Sequence, residues 1–499
     1  MIWKKNIDSF VAAILGFIAV QMFTKYGGIG ISPDSIAYAG AARNVIAGNG
    51  FMEFCGTPLV AFPLFYPAFL AFFMFITRSD IIPIAPILNG LLFATLIFLA
   101  GVITESFKYK TPLYKRIVLL IMICSPSLIE IYTMLWSETL FILLSLVFIF
   151  AFKGYFRTHK INALLIAAVI AAIAFDTRYA GITLVGTGCL LLFFDKNLKW
   201  RLKVRHILIF GSVSGLLVAV NLVRNIIENG LATGMRQDGI TTLHKNVEYS
   251  GNVMSNWFRF QLQDKFFFEL IAVSVLVLFI TFFIRNFRHW KAYYSYEHVS
   301  VSFFIVYVLF IIISSTVSRY ETINNRLLAP AFIPLLWIST CQIPKWRQQM
   351  PHKIMNWIFF AFSLGISVLI VGSYIGINRE NLSYMNETGI SGYGEDTWTK
   401  SNIVNYLQNH KEYFHRDSTV YSNHSQAVYF LTGNTVIALP ERVYKQDVEG
   451  FKAESPIVLI WFNNDPNPDL LTLKEIHHLK KMERVKSFSD GAIYILTDK

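Results

Sequence analysis

Charge is scarce in this sequence. Only 15% of its 499 residues are Asp, Glu, Lys or Arg, against about a quarter in a soluble globular chain. Cysteine is scarcer still. There are four, and Cys124, Cys189 and Cys341 fall in apolar runs, where a thiol packs as a small hydrophobe. Cys55 alone lies in a loop, so neither a disulfide framework nor a Cys-based metal site is encoded. The sequence has no His/Cys/Asp cluster at metal-ligand spacing, no Gly-rich phosphate loop after a strand, and no Gly-x-Ser-x-Gly elbow. Soluble nucleotide chemistry therefore has no signal. Internal repeats and low-complexity linkers are also missing.

What is present is apolar. Hydrophobic residues make up 54% of the chain, in recurrent runs of roughly 18 or more, the length that crosses a bilayer as helix. The first run is followed by Gly-Ile-Gly-Ile-Ser-Pro, which offers no small-x-small cleavage site, so it reads as a span. The expectation is an all-α polytopic membrane protein with about eleven spans: 10–23, 82–103, 117–135, 140–156, 163–175, 181–194, 207–223, 267–284, 299–315, 327–341 and 354–375.

The formal charge of +12 is unevenly placed. Residues 378–499 hold 13 Lys+Arg against 16 Asp+Glu, near −3, which leaves the membrane part near +15. The basic residues occupy every second loop: Lys4-Lys5, then 108–116, 153–160, 196–206, 285–291 and 345–353. Basic charge beside spans is an orientation signal, not a nucleic-acid patch. It puts these loops and the N-terminus in the cytoplasm. Outside then lie 27–81, the turn at Ser137-Glu138, the turn 176–179, 225–265, 319–326 and the tail. This is the expected topology of a multi-pass protein of a bacterial inner (plasma) membrane. Two domains are expected, 1–377 in the membrane and a small extracytoplasmic α/β domain at 378–499. In the tail "STVYS", "TVIAL" and "SPIVLIWF" read as strands, "KSNIVNYLQNH" and "LTLKEIHHLKKM" as amphipathic helices, and "SFSDGAIYIL" as a hairpin.

The ionisable residues of the outer loops are the candidates for chemistry. In "SPDSIAYAGAARNVIAGNGF" (32–51), Ser32 is an N-cap, Pro33 suits the first helical position, Asp34 lies in the first turn with Tyr38 on the same face, and Gly48 ends the helix. Asp34 either complements the helix dipole or does chemistry. Pro58, Pro63 and Pro67 interrupt the next apolar stretch, so 66–76 reads as a helix in the outer interface, ended by Arg78 and Asp80; two spans are the alternative. Glu138 sits at a span boundary, where a carboxylate is either solvated or functional. Arg178 and Arg326 end spans on the same side. They either snorkel to headgroups or, with the two acids, grip the phosphate of a lipid through forked hydrogen bonds. The polar loop 225–265 is long enough for a substrate lid.

Together "SPDSIAYAGAARNVIAGNGF", "PLFYPAFLAFF", "SETLF", "TRYAGI" and "NRLLAPAFIPLL" resemble the GT-C membrane glycosyltransferases, in particular glycosyltransferase family 39 and its relatives, the protein O-mannosyltransferases and aminoarabinose transferases. The resemblance runs from Asp34 to about Leu336. It implies a GT-C fold and an inverting transfer, by a hexosyl- or pentosyltransferase, from a polyprenyl-phosphate sugar donor to a lipid, glycan or protein acceptor. It implies Asp34 and Glu138 as the catalytic acids and Arg178 and Arg326 as donor-phosphate ligands. Tyr38, Arg43, Tyr66 and Tyr179, which stand in the matching motifs, are the expected substrate-binding side chains. The family's His/Lys-Pro-Pro-Leu run is here Phe62-Pro63-Leu64, and Ser35 replaces the second acid of the protein mannosyltransferases, which leaves the acceptor open. No cofactor is expected: Asp34 and Glu138 could share a divalent metal, but two carboxylates without histidine are a weak metal signature. The alternative function is a transporter or flippase of an amphiphilic lipid, which would carry its charges near the midplane.

Overall fold

The computed structural model describes residues 6–260, 264–414, 419–464 and 467–499. Lys4 and Lys5 of the orientation pattern, and 261–263 of the long polar loop, lie outside these. The N-terminal part is a helical bundle. Helix α1 (Ile7–Phe23) leads through two short helices, α2 (Pro33–Ile46) and α3 (Phe65–Thr77), into α4 (Ile81–Thr104). There follow α5 (Pro112–Cys124), α6 (Pro126–Tyr132), α7 (Glu138–Thr158), α8 (Ile161–Thr177), α9 (Ile182–Phe194) and α10 (Trp200–Asn229). The bundle closes with α11 (Leu243–Trp257), α12 (Lys265–Arg288), α13 (Tyr296–Val317), α14 (Asn325–Thr340), α15 (Ile343–Gln349) and α16 (Lys353–Thr388). Among the described residues seven helices are long and apolar enough to cross a membrane, or eight if the bent pair α5–α6 is one span. Each expected span except 117–135 falls on one of the bundle's helices, though α1, α8 and α9 are short for a crossing. Helix α3, with Phe72, Phe75 and Ile76 exposed, is likewise too short to span by itself.

Three expectations need correction. Residues 117–135 are not one straight span: the chain bends by 54° between α5 and α6. Pro126 has no N–H to continue the ladder and drives Ser125 into an extended conformation. The Cys124 carbonyl at the break accepts from Asn378 Nδ2 of α16 at 2.8 Å. The loop 225–265 is not a free lid. It holds α11, capped by Thr242 and packed so closely on α12 that a Cβ on Gly251 would lie 1.7 Å from the Phe268 carbonyl oxygen. Helix α16 also runs past residue 378 to Thr388, so the tail begins later than its composition suggests.

The two sets of loops separate to opposite ends. Lys115, buried, binds Asp8 at 2.7 Å and Glu105 at 3.4 Å. His159 meets Asp195 at 3.0 Å, and Tyr294 donates to the same carboxylate at 2.5 Å. The basic loops thus contact one another, and the acids and arginines of the alternate loops gather at the other end.

The tail is a five-stranded sheet in the order β2-β1-β3-β5-β4, from β1 (Thr419–Ser422), β2 (Ile437–Ala438), β3 (Ile457–Phe462), β4 (Lys481–Phe488) and β5 (Gly491–Thr497). Strand β1 pairs in parallel with β2 and β3, and β5 runs antiparallel to β3 and β4. Helices α17 (Asn402–Asn409), α18 (Ser425–Thr432), α19 (Lys445–Ala453) and α20 (Leu473–Leu479) complete it. The "LTLKEIHHLKKM" helix ends at Leu479, and Lys481 and Met482 open β4 instead.

Candidate active site

Asp34 owes its position to short-range chemistry on both sides. Ser32 and Ser35 form a reciprocal cap, and Pro33 occupies the first turn. Just before the cap, Gly30 pairs strand-fashion with the α6–α7 connection: its N–H donates to the Thr133 carbonyl at 2.8 Å and its carbonyl accepts from Leu135 at 3.0 Å. Ile31 pairs with Gly392 beyond α16, its carbonyl accepting from Tyr393 at 2.8 Å. Gly392 has φ 89°, and a Cβ there would lie 2.1 Å from the Ile31 oxygen, so no other residue fits without strain. Trp136 Nε1 donates to Ser32 Oγ at 2.8 Å. The first turn of α2 is thereby pinned between two remote segments.

Around it the charges at this end of the bundle form one network. Arg326, in the first turn of α14, ion-pairs with Asp34 through Nη2 and with Glu138 Oε1 through Nε at 2.5 Å. Its guanidinium carbon lies 4.3 Å from the Trp136 ring centroid, a cation–π geometry. Glu138 is 1% exposed and opens α7, where the helix dipole favours an anion. Its other oxygen meets Arg178 Nη1 at 2.5 Å. Arg178 also donates to Ser137 Oγ at 3.0 Å, which shares a 3.1 Å hydrogen bond with Tyr38. Asp34 and Glu138 are therefore joined by the Arg326 guanidinium.

This network walls a cavity of about 400 Å³ that Asp34, Tyr38, Arg178, Tyr179 and Arg326 line. A second cavity, about 750 Å³, lies beyond Trp136 and Asn325 and is bordered by Glu130, Arg259 and Tyr374. Two of the expected substrate-binding residues lie off both walls. Arg43 is a scaffold contact, donating to Asp80 at 2.7 and 3.0 Å and to Tyr429 of the tail at 3.2 Å. Tyr66 is buried behind Tyr38, the two rings edge-to-face at 4.9 Å.

Sequence reasoning missed Arg236. It lies on the wall of the smaller cavity, 5.9 Å from each of the Tyr179 and Tyr320 rings. Among the described residues it makes no hydrogen bond or ion pair. Arg178 and Arg326 already face carboxylates, whereas Arg236 keeps its donors free. No periodicity marks it; its one signal in the sequence is to be an arginine in a long polar loop. Glu321 was missed too. It stands 3.8 Å from Arg326, and burial, with Glu138 and Asp34 nearby, pushes its carboxyl above the usual range against the pull of Arg326. Elsewhere, His244 and Glu248 of α11 and Glu269 of α12 bring ligand atoms within 4.8 Å of one another. That grouping joins two helices, so linear spacing does not show it; it borders neither cavity, and His244 pairs with Glu269 at 3.0 Å.

No family model matches the chain, and no curated protein matches it. Solved structures do. The chain is similar to ArnT from Cupriavidus metallidurans bound to undecaprenyl phosphate, with TM-score 0.59 and 11% identity, over 98% of this chain and 97% of that one. The apo state of that protein gives 0.57 and 12% over the same shares. The archaeal oligosaccharyltransferase AglB from Archaeoglobus fulgidus, in complex with an inhibitory peptide and a dolichol-phosphate, gives 0.52 and 9%, over 92% of this chain and 70% of that one. The likeness extends through bundle and tail alike, and the fold is GT-C.

Proposed function

We propose that the protein is an inverting glycosyltransferase that moves a sugar from a polyprenyl-phosphate donor to an acceptor at the outer face of the membrane. The observation that carries this reading is Asp34 on the wall of a cavity that also presents three guanidinium groups, Arg178, Arg236 and Arg326. The neighbours' bound undecaprenyl phosphate and dolichol-phosphate support a lipid phosphate as the occupant, and the acidic face of the network suits an acceptor hydroxyl or amine.

The chemistry follows from the charges. Asp34 Oδ2 is held by Arg326, while Oδ1 makes no hydrogen bond among the described residues and serves as the general base. As the acceptor oxygen or nitrogen bonds to the anomeric carbon, its proton passes to Asp34. The carbon–oxygen bond to phosphate breaks on the opposite face, and its electron pair stays on the departing polyprenyl phosphate. The sugar carries oxocarbenium-like charge in transit, which nearby carboxylates stabilise. The phosphate gains negative charge, and Arg236, which has no acid of its own, meets it, with Arg178 and Arg326 behind. Glu138 touches no substrate in this scheme; it holds the two arginines apart and in place. Charges gathered at one end, with none of the acids and arginines of the network at the midplane, favour this reading over a flippase.

The experiment is turnover of polyprenyl-phosphate sugars in membranes carrying Asp34→Asn. Loss of a positioned base costs roughly 10²–10⁴-fold, while donor binding and yield stay close to wild type. Near-normal turnover removes Asp34 from the chemistry.

A further inference from the structure

Arg236 is not held by the bundle alone. The residue after it, Gln237, takes part in a short antiparallel pairing with the end of α13. Arg319 N donates to the Gln237 carbonyl at 2.9 Å, Gly239 N donates to the Val317 carbonyl at 3.0 Å, and Asp238 bridges Ser318. The pairing is tight, since a Cβ on Gly239 would lie 2.0 Å from the Thr316 oxygen. It sets Arg236 and Tyr320 side by side on the cavity wall.

The side chains of this pairing face the tail. Arg319 Nη1 donates to Gln237 Oε1 at 2.7 Å, and Nη2 donates to both oxygens of Asp469 at 2.7 and 2.8 Å. Gln237 Nε2 donates to Glu441 Oε2 at 2.9 Å. Glu441 and Asp469 are themselves brought together within the tail, where Glu441 bridges Leu470 and Arg442 N donates to the Asp469 carbonyl at 2.9 Å. Two side chains, Gln237 and Arg319, therefore tie two acids of the α/β domain to the two loops that carry Arg236 and Tyr320. Charge-assisted contacts, here one guanidinium nitrogen engaging both oxygens of Asp469 while the other holds Gln237, fix geometry as well as adding energy.

We propose that the C-terminal domain is a positioning device for the donor cavity: the Glu441–Gln237–Arg319–Asp469 latch sets where Arg236 stands. Its effect on the donor rests on the reading of the cavity given above; the mechanical link does not. None of the four residues lines the cavity, so each acts through Arg236 and its tyrosine neighbours.

The test uses the full-length protein in detergent or nanodisc. Asp469→Asn keeps shape and removes the charge. Gly239→Ala loosens the same loop from the bundle side. Hydrogen exchange at 234–239 and 318–321 is expected to accelerate about tenfold or more in both variants. Unchanged protection overturns the latch, whether or not any sugar is transferred. In turnover, Asp469→Asn is expected to raise the donor KM about tenfold with kcat within about twofold. In an Arg236→Ala background the same substitution is expected to add less than about twofold, because the group it positions is gone. A full additive effect there, or an unchanged KM in the wild-type background, overturns the positioning role. If hydrogen exchange responds while no polyprenyl-phosphate sugar is turned over by the unmodified protein, the latch holds and the reading of the cavity is what fails.

Discussion

Arg326 is the residue on which the site turns, because three carboxylates compete for one guanidinium. Asp34 and Glu138 hold it closely, and Glu321 stands 3.8 Å off. A phosphate entering the cavity has to draw on the same donors. Glu321, its carboxyl raised by burial, ionises only as pH climbs past the ordinary glutamate value. Once ionised it draws Arg326 and repels the donor. Donor KM is thus expected to rise with pH above that point, and Glu321→Gln to lower it there and flatten the profile; a variant profile that tracks wild type would refute the competition. Glu138 behaves differently. It is buried between two arginines, so Glu138→Gln leaves their charges facing each other, at a cost of about 3 kcal/mol. Thermal melting of the purified variant should show this as lost stability, and donor KM should rise in the molecules that stay folded, because Arg178 and Arg326 lose the acid that holds them in place.

At the scale of elements, the site depends on backbone pairings that a helical protein seldom shows. The bridges Gly30–Met134 and Ile31–Gly392 aim α2, and α2 aims Asp34. Gly392→Ala places a Cβ against the Ile31 oxygen at a positive φ, so it is expected to cost more than about 1 kcal/mol and to lower kcat more than it raises donor KM. Equal loss in both would argue that the bridge only supports folding. Such pairings explain what could be read ahead of the coordinates. Hydrophobic runs show where a helix lies and its Ser-Pro-Asp start shows how α2 begins, so the bundle, the short helix α3 and the cap were visible. Span ends also bring Asp34, Glu138, Arg178 and Arg326 to one depth. Depth along a helix is what such patterns encode. They do not encode azimuth, so Arg43 looked like its neighbours although it points to Asp80. A loop residue such as Arg236 has no period at all; its neighbours on the cavity wall, Tyr179 and Tyr320, and the segment its loop pairs with come from elsewhere in the chain. The break in α5–α6 was hidden for another reason, as Ser125-Pro126 interrupts a run that is apolar on both sides.

At the scale of the whole molecule, two sets of side-chain contacts among the described residues fasten the tail to the bundle besides the Ile31–Gly392 pairing: the latch beside Arg236, and the contact of α18 with α2. In the second, Arg43 binds Asp80 and Tyr429 together, and Tyr429 stacks on Phe54 at 4.7 Å. Burial acts to raise the Asp80 carboxyl, but hydrogen bonds from Arg43 and from the Ile82 N–H outweigh it and hold the group below its usual range. An acid depressed on folding adds stability that is full above its unfolded value, about 3.9, and fades as pH falls through the folded one. The melting difference between wild type and Asp80→Asn should therefore be largest near neutrality and close to nothing well below pH 4. A difference that persists in acid would mean that shape, not charge, secures this contact.

The ionic cluster has one further consequence. Its members come from segments as far apart as 292 positions, so no piece of the chain that stops short of either Asp34 or Arg326 can complete it. Turnover per milligram then works as a census of correctly completed molecules. Any preparation scored by that number is being scored for how much of it finished folding as well as for how fast each molecule works.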